Sequence, residues 1–129
     1  MRVFSFTLFF FVAAVMTVLP TKSYANSEIA EGLCAAIVAD DRQRMRTILS
    51  NNNMRLRNVF NGVRCNGYSM LQFAITAEAI DVGEMLIRQL PIRIIEEDEV
   101  NGQNILQWAE SAGYGSSPVL QVVRDRLNG

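Results

Sequence analysis

The sequence predicts an all-α fold: a short array of about three helix–turn–helix units carrying one disulfide. Three observations predict it. A ten-residue phrase, Cys65-Asn66-Gly67-Tyr68-Ser69-Met70-Leu71-Gln72-Phe73-Ala74, returns in outline as Asn101-Gly102-Gln103-Asn104-Ile105-Leu106-Gln107-Trp108-Ala109. Apolar residues at helical spacing follow each copy and also stand upstream of the first. Two cysteines remain in a chain whose start reads as an export signal.

Residues 1–25 are expected to be a secretory signal peptide. Arg2 precedes an apolar run from Val3 to Leu19, and Ser23-Tyr24-Ala25 places small residues on either side of Tyr24 for cleavage after Ala25. The rival is an uncleaved anchor, because the run approaches the roughly 18 residues of a spanning helix. Ser5, Thr7 and Thr17 within it, and the cleavage site after it, favour removal. Export places residues 26–129 in the periplasm or outside the cell, as one domain with no transmembrane segment left after cleavage.

The first unit runs from Leu33 to Leu49, "LCAAIVADDRQRMRTIL", and Asn51-Asn52-Asn53 ends it. The second starts at the Asn66-Gly67 turn. Ser69 is a good N-cap with Gln72 three residues on, as a capping box requires, so a helix is predicted from Ser69 to about Ala77. A partner helix from about Ile80 to Gln89, with Val82, Met85, Leu86 and Gln89 expected as one buried stripe, is stopped by Pro91. The third unit repeats the turn and cap as Asn101-Gly102 and Asn104/Gln107. Gly113 and Gly115 end its first helix, and Ser117-Pro118 starts the last, which buries Val119, Val122, Val123 and Leu127. Leu33, Ala36, Ala39 and Ile48 precede Leu71, Ala74, Ala77 and Leu86 by a constant 38 positions.

These units resemble the ankyrin repeat. Gly67-Tyr68-Ser69-Met70-Leu71-Gln72-Phe73-Ala74 is similar to its first half, and Ile80-Asp81-Val82-Gly83-Glu84-Met85-Leu86-Ile87 to its second. The resemblance covers most of residues 33 to 127, with Met70 or Ile105 in place of the usual proline and Gln72 or Gln107 in place of histidine. Glu78 stands where a glycine usually separates the two helices. A narrower resemblance, over about residues 30 to 90, is to a family of small exported gammaproteobacterial proteins of unknown function marked by a Cys-Asn-Gly motif. It rests on Leu33-Cys34, Asp40-Asp41-Arg42, Cys65-Asn66-Gly67 and Phe73-Ala74. That resemblance implies paired cysteines and a signal peptide, and adds no activity.

Cys34 and Cys65 form an even pair in an exported chain, which reads as a disulfide. In an ankyrin-like stack, the places they occupy are neighbours, so the bridge is expected to staple the first unit to the second. Two thiols without histidine fall short of a zinc shell, and no cofactor or metal is expected.

Charge narrows the functional classes. Without Arg2 and Lys22, ten arginines face 13 acidic residues, and no lysine or histidine remains. That balance argues against nucleic-acid binding, which depends on clustered positive charge. It also removes a Ser-His-Asp triad, a Cys-His pair and a lysine nucleophile. Phosphate-loop glycine motifs are missing, and "AGYGSS" (112–117) reads as a solvated loop. Glu96-Glu97-Asp98-Glu99 lacks calcium-loop spacing and reads as an exposed loop between units.

The expectation is therefore a non-enzymatic binding module with an unidentified protein partner. Arg55, Arg57, Arg64 and Tyr68, in the long connection and turn, are the candidate contacts, joined by Arg42, Arg44 and Arg46. Trp108 and Phe73 are assigned to the core. One alternative is an envelope structural or stress protein whose arginine-rich stretch, Arg42 to Arg64, meets anionic lipid or polysaccharide. A less favoured alternative is a small hydrolase using carboxylates from Glu96 to Glu99.

Overall fold

The computed structural model describes residues 27–129, and the expected signal peptide lies outside them. Eight helices occur among the described residues: α1 (Ser27–Val38), α2 (Arg42–Asn51), α3 (Leu56–Val59), α4 (Met70–Thr76), α5 (Ile80–Gln89), α6 (Ile92–Glu96), α7 (Ile105–Ser111) and α8 (Pro118–Asn128). The fold is all-α apart from a two-residue antiparallel pair, β1 (Glu99–Val100) with β2 (Gln103–Asn104). A single disulfide joins Cys34 to Cys65.

Three helix pairs, α1/α2, α4/α5 and α7/α8, form the body. Their first members, α1, α4 and α7, pack in sequence as one layer, and α2, α5 and α8 pack as a second. Each pair turns through one residue with positive φ: Asp40 (50°), Glu78 (51°) and Gly113 (92°). The following N–H then reaches back to close the helix end, from Asp41 to Ala36 O, Ala79 to Ala74 O and Tyr114 to Ala109 O. This is the Schellman arrangement, which favours glycine at the left-handed position. Glu78 therefore adopts the shape that glycine supplies in the third unit, despite its Cβ.

Packing follows the predicted stripes except at Gln89, whose polar side chain at the end of α5 is exposed. Leu33, Ala36 and Ile37 from α1, Leu71, Ala74 and Ile75 from α4, and Ile105 and Ala109 from α7 are buried between the layers. Met45 and Leu49, Val82 and Leu86, and Val119 and Val123 meet them from the second layer. The alanines let the first-layer helices approach closely. At Gly83 the approach is tighter still, because a Cβ there would sit 2.8 Å from Val119 Cγ1. Gly83→Ala gains about 1 kcal/mol of helix propensity but must displace a stiff, buried valine, which costs 1–3 kcal/mol on the usual scale of overpacking. We expect a net loss of about 1 kcal/mol, read as a lower urea midpoint. A midpoint above wild type would show that α8 moves away freely.

The connections hold more structure than their composition suggested. After Asn53 (φ 51°), α3 and a 3-10 turn (Phe60–Gly62) bury Leu56 and Phe60. After Pro91, α6 buries Ile95. One side of α8 is polar: Gln121 and Asp125 are exposed and hydrogen-bonded to each other.

Candidate functional site

The doubled phrase is a turn followed by a cap. Asn66-Gly67 and Asn101-Gly102 have φ of 52°, 81°, 50° and 79°, the pattern of a type I′ turn, which Asn-Gly favours. The first closes a bridge between Cys65 and Tyr68, and the second closes β1 onto β2. Each leads into a full capping box. Ser69 Oγ accepts from the Gln72 N–H and Gln72 Oε1 accepts from the Ser69 N–H, and Asn104 and Gln107 repeat the exchange.

The two joints between units start from the same helix position and use different chemistry. At the first, Cys34 on α1 is bonded to Cys65 at the turn, with Cα atoms 5.7 Å apart, and Cys34 Sγ lies 3.7 Å from Arg64 O. At the second, the residue 38 positions after Cys34 is Gln72. Its Nε2 donates to Asp98 Oδ1 (2.8 Å) and to Glu99 O (3.5 Å), while Ser69 Oγ donates to Asp98 Oδ2 (2.7 Å). Asp98 is only 7% exposed. Burial pushes its carboxyl up to about 6, against the opposing effects of the Ser69 hydroxyl and the Arg64 guanidinium. Further across the first joint, Asp40 accepts from the N–H groups of Val82 (2.8 Å) and Asp81 (3.3 Å), capping α5 from the neighbouring unit. Ala79, at that N-cap, has no side chain able to do so.

This geometry corrects two expectations. The run Glu96 to Glu99 is not a uniformly exposed loop: Glu96 ends α6, Glu97 pairs with Arg93, and Asp98 turns inward to α4. Its carboxylates therefore do not converge on one reacting centre. Tyr68 is half-buried rather than fully presented, with its ring 5.7 Å from that of Trp108, which also meets Tyr114 at 5.8 Å. Trp108 is buried, whereas Phe73 is only half-buried.

The arginines are exposed but dispersed. Arg42, Arg44 and Arg46 lie on α2, with Arg44 turned to the opposite side of the buried Met45 and Leu49 stripe from the other two. Arg55 and Arg57 border a shallow groove with Gln89, at the end of α5. Arg64 borders a different groove, of about 280 Å³, alongside Glu31, Cys34, Asn66 and Phe73. None of these six makes an ion pair among the described residues, unlike Arg88, Arg93 and Arg124. A further groove of about 190 Å³, lined by Ile29, Ala30, Met54, Val59 and Val63, is mainly apolar. No helix among the described residues is long and apolar enough to cross a membrane.

A family model described as "Protein of unknown function (DUF3718)" matches residues 33–100. The chain belongs to that family. The DUF3718 match opens at Leu33, beside the first half-cystine, and closes at Val100, at the end of β1. It thus contains both joints, the Cys34–Cys65 bridge and Asp98 with its partners, and leaves α7 and α8 beyond its end. No curated protein and no solved structure is significantly similar to the chain.

Sequence reasoning found the disulfide but missed Asp98 and Asp40 as joint residues. A signal for the first was present: Gln72 falls where Cys34 stands in the preceding unit, so it had to meet something at the next turn. Asp40 carried no comparable signal, because its partners are backbone groups of another unit.

Proposed function

We propose that the protein is an exported, non-enzymatic binding module whose ankyrin-like stack offers a turn-and-groove surface to a protein partner. The observation carrying this reading is the groove at the first joint, where exposed Arg64 and half-buried Phe73 stand beside the Asn66-Gly67 turn. Arginine and aromatic side chains on a rigid support are the usual anchors of protein interfaces. The disulfide fastens that support, and together with the apolar start and Ser23-Tyr24-Ala25 it favours an oxidising compartment such as the periplasm. Two packed helical layers, with Asn-Gly turns at repeating positions, support the ankyrin-like description.

Crosslinking pull-down from cell envelopes tests the reading. The wild-type chain is expected to enrich a defined protein, and Arg64→Glu combined with Phe73→Ala to lose it at least tenfold while circular dichroism stays unchanged. Equal recovery by both chains, or no enrichment over an unfolded control, would remove the groove from consideration.

The unpaired arginines of α2 favour a second reading, contact with anionic lipid or polysaccharide. Its mark is co-sedimentation with anionic liposomes or glycans that weakens with salt and is lost on replacing Arg42, Arg44 and Arg46. Absence of sedimentation at low salt rules it out.

A further inference from the structure

The two joints differ in one respect that bears on regulation. The first is covalent, while the second depends on a buried carboxyl group held by two neutral donors. We propose that the Ser69–Gln72–Asp98 contact is an acid-tightened latch, which grips the third unit more firmly as pH falls.

The geometry sets two effects against each other. Ser69 Oγ–H and Gln72 Nε2–H both donate to Asp98, which suits the ionised form. Asp98 is nevertheless 7% exposed and has no salt-bridge partner among the described residues. Two neutral donors compensate a buried carboxylate incompletely, so desolvation outweighs them. The surrounding charges do not reverse this. On its own segment, Glu99 is exposed, and Glu97 is occupied by Arg93 across one turn of α6. Glu96, also on α6, is exposed. α4 presents only neutral groups, and the one charge on α7, Glu110, pairs with Arg124 of α8. Arg64, on the turn before α4, favours the ionised form but is itself exposed and acts without direct contact.

Protonation can proceed without disrupting the joint. Ser69 Oγ already accepts from the Gln72 N–H and has a second lone pair, so it can accept a hydrogen bond from a protonated Asp98 Oδ2–H once its own O–H turns away. The protonated joint then keeps both side-chain contacts to Asp98, with the Ser69 bond reversed, and no longer buries a charge. In the undocked state Asp98 is solvated and returns to its ordinary value of 3.8. The docked form therefore retains a proton that the undocked form releases between pH about 4 and about 6. Across that window the opening constant of the third unit rises roughly a hundredfold, then levels off above it.

Hydrogen exchange from pH 4.5 to 7.5, corrected for intrinsic amide rates, is the test. Protection of α7 and α8 is expected to fall by well over tenfold relative to α1 and α2 as pH rises, and Asp98→Asn is expected to abolish that difference. Protection that is pH-independent, or that rises with pH, in α7 and α8 overturns the latch. So does an Asp98→Asn variant with the wild-type slope. Should that variant fail to fold, carbon-detected NMR titration of the wild-type Asp98 carboxyl decides the matter. Titration near 6 supports the latch, and titration near 4 overturns it.

Discussion

Replacing both half-cystines, as Cys34→Ala with Cys65→Ala, is expected to lower the unfolding free energy by about 3 to 4 kcal/mol. The bridge closes a segment with a sequence separation of 31, so its loss restores that much chain freedom to the unfolded state. Cys65 is 2% exposed, and the alanine adds a small packing loss. A domain of this size has roughly 5 to 15 kcal/mol of stability in all, so the variant approaches the threshold of unfolding. The location of the bridge sharpens the expectation. Among the described residues α1 and α2 meet the rest of the molecule through this joint, so their amides should lose protection before those of α5. Urea denaturation of the double variant measures the first effect. A loss below about 1 kcal/mol would mean that packing at Leu33, Ile37 and Met45 already holds the first unit.

Asp40→Ala is expected to cost about 2 to 3 kcal/mol, a large effect for a partly exposed polar residue. Two contributions add. The carboxylate accepts from the first N–H groups of α5, and loss of such a cap costs about 1 to 2 kcal/mol. Asp40 also sits at φ 50°, which aspartate and asparagine tolerate better than alanine. Asp40→Asn keeps an acceptor and the left-handed preference, so it should lose less than about 1 kcal/mol. Asp40→Gly relieves the backbone but not the cap and should fall between them. The order Asn, Gly, Ala in urea midpoint, with an unchanged denaturant slope, checks the account. If alanine and asparagine behave alike, the contact to Val82 N is not holding α5.

The helices were legible because their causes are local. Ser69 with Gln72, and Asn104 with Gln107, mark helix starts from side chains three residues apart. Ile80 to Gln89 was placed correctly because Val82, Met85 and Leu86 repeat at helical spacing between a turn and Pro91. α1 begins six residues before Leu33, since Ser27 to Gly32 supply only a weak apolar pattern. α3 and α6 were missed for a related reason. At four and five residues, they are too short to show periodicity, and they exist because Leu56 and Ile95 are drawn into the core.

The candidate surface was less legible. Arg64 stands by one groove, Arg55 and Arg57 by another, and on α2 Arg44 lies across the Met45 and Leu49 stripe from Arg42 and Arg46. A run of like charges in sequence becomes a patch only if the helix and its connection turn the same way. Tyr68, a candidate contact from its place in the turn, also has its ring packed against Trp108, forty residues later.

By itself, the sequence determined the all-α class, the capped helices, the doubled Asn-Gly turn and the pairing of its only two cysteines. Each follows from residues acting on near neighbours, or from having no other partner to choose. Tertiary structure alone decided that Asp98 is buried, that Asp40 caps a helix of the next unit, and that the arginines part company. Those outcomes depend on the stacking of units, which brings together groups 26 to 42 positions apart. Burial and desolvation are properties of that assembled neighbourhood, so an aspartate in an acidic run could not declare which way it would face.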